Sequence, residues 1–148
     1  LTYDWYNPLE LPKSALPFDT VIQSILKNMS TISPDHFNLG YASVGFIWTL
    51  PFIEYEDTRF ITVLNAIKLA YEVGTSISFN ENTRSVYYIY IANNHENLVW
   101  YNDVRFIDEL IEVIKEYGIQ AVSFWSVVGF LPRQLLMYNV NFEIVKII

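Results

Sequence analysis

Apolar residues recur along the chain at two different spacings, and the switches between them mark its elements. Residues 1–5 form a short β-like run, followed by a loop punctuated by Pro8, Pro12 and Pro17 that suits neither a regular helix nor a central strand. After Asp19, an N-cap residue type, Val21, Ile22, Ile25, Leu26 and Met29 fall at helical spacing. This predicts an amphipathic helix over residues 20–29, ended by Ser30-Thr31 and Ser33-Pro34-Asp35. Residues 37–46 are apolar, contain glycine and are bounded by turn signals, as expected of a strand buried on both faces of a parallel sheet. A second helix is predicted from Asp57 or Thr58 to Val73, with Gly74 placed to end it.

Residues 75–101 change period. Short apolar runs at 76–79, 86–91 and 98–101, separated by polar turns, predict an antiparallel meander. Asn102 or Asp103 then caps a helix carrying Val104, Ile107, Leu110, Ile111, Ile114 and Tyr117 on one side, stopped by Gly118. Residues 119–125 read as another apolar strand, Pro132 as the first residue of a short helix reaching about Tyr138, and residues 142–148 as a last apolar run. Strand–helix units interrupted by one antiparallel insertion imply an α/β fold with a mostly parallel sheet. Three strands of that kind cannot close a barrel, which takes eight.

Composition sharpens this. At 148 residues one domain is expected. Hydrophobic residues make up 52% and charged residues 17%, below the roughly one quarter usual for soluble proteins. The excess implies a membrane or apolar faces that pack against a partner. Residues 37–53, the longest apolar-leaning uncharged stretch, contain Asn38, Gly40, Ser43, Gly45, Thr49 and Pro51 and are punctuated as strand and loop, so no membrane span is expected. A net charge of −7, with nine scattered Lys and Arg, argues against nucleic acid. Cysteine is absent, which excludes disulfides, thiolate metal sites and a cysteine nucleophile but leaves the compartment open. His36 and His95 are far apart and share no ligand spacing with carboxylates, so neither a metal nor a cofactor is expected. Asn28-Met29-Ser30 has the form of a glycosylation acceptor, a match frequent by chance. The start at Leu1, without Met or a signal-type leader, reads as part of a longer chain.

Several segments, in order, resemble the chitinase-like glycoside hydrolase family 18, above all its spore-cortex and spore-germination branch. Leu1-Thr2-Tyr3-Asp4-Trp5 is similar to the Met-x-Tyr-Asp motif that ends the family's sixth barrel strand, with Leu for Met. Residues 39–48 are similar to the seventh-strand pattern Leu-Gly-x-Pro-x-Tyr-Gly-x-x-Trp. They keep Gly40, Gly45 and Trp48 but carry Ala42 for Pro and Val44 for Tyr. Val99-Trp100-Tyr101-Asn102-Asp103 resembles the segment that closes the family's insertion, and Gly118 through Trp125 to Ser126 resembles its last strand. The resemblance covers nearly the whole chain. It implies the portion of a (β/α)8 barrel from about strand 6 to strand 8, with residues 1–148 forming one partial barrel domain and a small α+β insertion at about 50–103.

The function implied is hydrolysis of β-linked N-acetylglucosamine polymers, chitin or peptidoglycan. In that mechanism a Glu protonates the leaving oxygen and the substrate's own acetamide attacks the anomeric carbon. The Glu belongs to an Asp-x-x-Asp-x-Asp-x-Glu motif whose spacing is absent from this sequence, so it is expected outside the chain, and the chain alone is expected to be inactive. By resemblance the substrate-binding candidates are Tyr3, which would hold the acetamide, Asp4, which would bond the sugar, Trp125, which would form the apolar floor, and Trp48 and Trp100. Ordinary alternatives stand beside these: a strand-end Tyr packed on its loop, a turn Asp, and tryptophans that only fill a core. Glu54, Glu56 and Asp57 resemble an acid–base group but precede the second predicted helix, where acids complement the dipole. The partners implied are a glycan and either the missing part of the barrel or a second copy, since an open barrel leaves bare strand edges. The setting implied is extracytoplasmic or spore-associated. The alternative is a non-catalytic glycan-binding or coat-assembly module descended from the hydrolase.

Overall fold

In the computed structural model the apolar run over residues 37–46 divides at Ser43 between two sheets. The structure describes residues 11–14, 16–54, 58–125 and 131–143, with Trp125 described by its backbone. In chain order the elements are α1 (Phe18–Met29), β1 (Asn38–Ala42), β2 (Val44–Leu50), β3 (Arg59–Thr62) and α2 (Val63–Glu72). They continue with β4 (Ser78–Asn80), β5 (Ser85–Ala92), β6 (His95–Tyr101), α3 (Val104–Glu116), β7 (Ala121–Trp125) and α4 (Pro132–Asn141). The predicted strand at residues 1–5, and residues 144–148 of the last apolar run, lie outside the described residues.

β1 and β7 pair in parallel, with Leu39 opposite Val122 and Ala42 opposite Trp125. Side chains alternate along a strand. Leu39, Tyr41, Val122 and Phe124 therefore share the face turned to the helices, where they meet Leu16, Val21, Ile25, Phe106, Ile107, Leu110, Ile111 and Ile114. The other face carries Asn38, Ala121 and Ser123, all exposed, with Ser123 Oγ donating to Asn38 Oδ1 at 2.9 Å. α3 forms as predicted. Asp103 caps it by accepting the Arg105 N–H at 2.9 Å, and Gly118 supplies the left-handed residue (φ 65°) that ends it. The end of α1 matches the prediction, while its start, at Phe18, places Asp19 inside the first turn.

β2 to β6 form one antiparallel sheet in the order β3-β2-β6-β5-β4. This sheet begins at Val44. Its Ile47, Ile61, Val86, Tyr88, Val99 and Tyr101 pack on Val63, Ala66 and Ala70 around α2, and Tyr88 OH donates to the Ala66 carbonyl at 2.7 Å. The second predicted helix starts later than its apolar spacing suggests. Residues 59–62 extend instead as β3 because Phe60 pairs with Phe46 and Ile61 with Gly45, and that ladder outcompetes a helical turn. Thr62, not an acid, caps α2 through the Asn65 N–H at 3.3 Å, and no acidic residue lies in its first turn. Glu54 therefore does not serve that helix's dipole, and Glu56 and Asp57 are outside the described residues.

Three contacts tie this sheet to α1 and α3. The Phe18 N–H donates to the Thr83 carbonyl at 3.2 Å, and Arg84 Nε reaches Glu109 at 3.2 Å. The Arg105 guanidinium also lies 4.1 Å from the Phe79 ring centre, joining α3 to β4. Among the described residues no helix is long and apolar enough to cross a membrane.

Candidate functional site

β1 and β7 end level with one another, at Ala42 and Trp125, and the carboxyl ends of parallel strands are where α/β folds gather their sites. Buried Ser43 follows Ala42 and donates Oγ to Gln134 Oε1 at 3.2 Å. The same oxygen accepts the Leu131 N–H at 2.8 Å, so wholly buried Gln134 ties the first turn of α4 to the end of β1. From Ser43 the chain leaves as β2. There Gly45 lies so close to β6 that a Cβ would stand 2.7 Å from both the Trp100 carbonyl oxygen and Tyr101 Cβ. A residue without a side chain is what lets the insertion start beside the strand ends.

The sheet face turned away from α2 is aromatic. Register puts Phe60, Phe46, Trp100 and Tyr87 in one row across β3, β2, β6 and β5. Trp100 stacks on Tyr87 with ring centres 4.7 Å apart, while Phe46 contacts Trp48 at 5.9 Å and Phe60 at 6.2 Å. Flat rings of this kind can take the C–H face of a pyranose. Phe46, Phe60 and Tyr87 were not among the sequence candidates. The alternation within β2 and β5 carried the signal, but which strands are neighbours did not follow from it.

The sequence candidates fall out unevenly. Tyr3 and Asp4 lie outside the described residues, and Trp125 is placed only by its backbone, at the carboxyl end of β7. Trp48 shares a sheet face with Trp100 but is 1% exposed, so a sugar could reach it only after its cover moved. Trp100 is half-buried, and its indole Nε1 has no hydrogen-bond partner among the described residues. Described acids near these elements have structural work: Asp103 caps α3 and pairs with Arg105 at 2.7 Å, and Glu81 and Glu109 hold Arg84. Among the described residues no three His, Cys, Asp or Glu side chains group as a metal site would require.

Burial raises the phenols of Tyr41, Tyr88, Tyr101 and Tyr138 above their ordinary range, against a hydrogen bond with Ser43 that lowers Tyr41. A raised folded value favours the folded state fully below the unfolded value near 10, and that contribution is lost as pH climbs toward the folded values. Alkaline unfolding is therefore expected to begin above about pH 10, with phenolate absorbance and loss of the far-ultraviolet dichroism rising together. Complete tyrosine ionisation in a still-folded chain would contradict this burial.

The fold matches a portion of chitinase barrels. A chitinase from Chromobacterium violaceum superposes on 95% of the chain with a TM-score of 0.84 at 15% identity, a likeness of fold alone. The chain is similar in sequence as well to spore cortex-lytic enzymes. The cortical fragment-lytic enzyme of Bacillus subtilis (strain 168) is 25% identical over 148 residues, 99% of this chain and 34% of that protein. The crystal structure of the Bacillus cereus spore cortex-lytic enzyme SleL matches with a TM-score of 0.92 and 26% identity, covering 99% of this chain and 35% of that one. No family model matches. The chain resembles the chitinase-like barrels of glycoside hydrolase family 18, in their spore-cortex branch, in a way consistent with their carboxy-terminal part. It spans about a third of the length of the curated relatives it matches.

Proposed function

We propose that the chain supplies about the sixth to eighth strands of a (β/α)8 barrel, and with them one wall of a glycan cleft, in a hydrolase of β-linked N-acetylglucosamine polymers. The observation that carries this reading is the level ending of β1 and β7, with the insertion departing at that point and bringing an aromatic sheet face with it. Similarity to cortex-lytic enzymes supports the substrate class. In this reading Trp125 is the floor beneath the sugar, Tyr3 and Asp4 hold its acetamide and hydroxyls, and Trp48 and Trp100 belong to the wall. The acid that protonates the leaving oxygen is a Glu outside these residues, because no Asp-x-x-Asp-x-Asp-x-Glu spacing occurs among them. The rest of the barrel, or a second copy, covers the face that carries Asn38, Ala121 and Ser123. An extracytoplasmic or spore-associated setting goes with that substrate.

The 148-residue chain alone is expected to release no product from N-acetylglucosamine tetramer above the buffer blank, followed by chromatography over a day. Turnover that persists through repurification contradicts the missing acid.

One observation favours the second reading, a glycan-binding or coat-assembly module without catalysis. Ala42 and Val44 replace the Pro and Tyr of the seventh-strand pattern and pack with Phe46 as a small apolar cluster, so the Tyr hydroxyl is lost from this strand end. Binding of the tetramer that stays unproductive when the remainder of the barrel is supplied would select this second reading.

A further inference from the structure

The far end of the insertion sheet holds an arginine whose charge no described carboxylate balances. Arg59 opens β3 beside β2, in which Thr49 pairs with Asn97 of β6. Asn97 is 3% exposed, and its own contacts fix which way its amide points. Nδ2 donates to the His95 carbonyl at 3.1 Å, so Oδ1 faces the other way and accepts from Arg59 Nη2 at 2.9 Å and Thr49 Oγ1 at 3.3 Å. A neutral oxygen thus holds the guanidinium in place without cancelling its charge. Arg84 is met by Glu81 and Glu109, and Arg105 by Asp103, whereas exposed Arg133 has neither a described carboxylate partner nor a buried amide to hold it. Among the described residues no carboxylate lies within ion-pair distance of Arg59.

Arg59 is exposed and lines a concavity of about 210 Å³ together with Asn93 and His95. Asn93 belongs to the two-residue turn between β5 and β6, in which Asn93 and Asn94 have φ 51° and 62°, and His95 is the first residue of β6. One of five guanidinium N–H groups is engaged by Asn97, which leaves a fork free to face a ligand.

We propose that Arg59, positioned by Asn97, is a carboxylate-binding site, with the Asn93 amide and the His95 ring as neighbouring donors. The planar fork matches a carboxylate. A single positive charge in a chain of net charge −7 suits a monoanion better than doubly charged phosphate. What carries the carboxylate rests on the glycan reading above. Chitin has no carboxylate, whereas peptidoglycan bears carboxylates on its lactyl-peptide substituents, so the site would favour the acidic polymer over the neutral one.

The test is an NMR titration of the protein at fixed ionic strength with acetate, N-acetylmuramic acid, N-acetylglucosamine and inorganic phosphate. Acetate and N-acetylmuramic acid are expected to shift the Arg59 Nε–H and the Asn93 and His95 amides saturably, and N-acetylglucosamine to leave them in place. Arg59→Gln, an exposed substitution, is expected to weaken both carboxylates at least about fivefold. Asn97→Asp, which hands Arg59 an internal carboxylate, is expected to do the same. The site is overturned by unmoved resonances with both carboxylates, by undiminished binding in Arg59→Gln, or by phosphate binding more tightly than acetate. The glycan reading fails separately, if N-acetylglucosamine tetramer perturbs nothing at the ends of β1 and β7 while acetate still shifts Arg59.

Discussion

Phe106→Ala is expected to destabilise the protein by about 3–5 kcal/mol, seen in a thermal melt as a fall in Tm of roughly 10 °C or more. Phe106 is fully buried at the joint of three elements. From α3 it stacks on Tyr41 of β1 at 5.8 Å and meets Phe18 of α1 edge-on at 5.7 Å. Truncation therefore removes the ring's burial and two oriented aromatic contacts, each worth about 0.5–1.5 kcal/mol beyond area. It also opens a cavity that β1, fixed by its ladder to β7, cannot collapse into. The expected loss is a large share of the 5–15 kcal/mol typical of a folded domain. A loss below about 1 kcal/mol would contradict the packing of α3 on the parallel pair.

Gly45→Ala is expected to cost about 3 kcal/mol, at the upper end for a single inserted carbon, because the clash falls on backbone. The new Cβ would stand 2.7 Å from the Trp100 carbonyl oxygen, which cannot rotate away, and 3.2 Å from Ile61 Cγ2 on the other side. β2 would have to part from β6, loosening a register that runs from Gly45–Tyr101 to Leu50–Glu96 and displacing Trp48 and Trp100 with it. Gly118→Ala is the control. Its φ of 65° is left-handed but nothing lies within 4 Å of the added carbon, so roughly 1 kcal/mol is expected. Chemical denaturation that ranks the two variants the other way would contradict the close approach of β2 and β6.

The helices were legible because their apolar faces are local. Ile107, Leu110, Ile111 and Ile114 fall on one side of α3 without reference to any other element, and Asp103 and Gly118 mark its ends. The hairpin of β5 and β6 was legible through its polar turn. What could not be read was where a chain changes partner. Residues 38–42 and 44–50 make one apolar run, yet the first pairs in parallel with β7 and the second antiparallel with β6. Nothing in their composition marks Ser43 as the break. The apolar spacing at residues 58–62 likewise fitted a helix until pairing with β2 decided it. The Arg59–Asn97 contact joins residues 38 apart in the chain and has no local signature. Of the candidate site, the motif at residues 118–125 pointed to the strand end where Trp125 stands, whereas Trp48 turned out to be enclosed.

The glycan wall is tested most directly by a ¹H–¹⁵N titration with N-acetylglucosamine tetramer, read at the backbone amides of Ala42, Ser43 and Trp125 and at the tryptophan indoles. Saturable shifts are expected to concentrate at those three amides and at the Trp125 and Trp100 indoles, and to weaken in Trp125→Ala. A titration that leaves them unmoved, or that shifts only residues of α1 and α4, would contradict a sugar-binding surface at the carboxyl ends of β1 and β7.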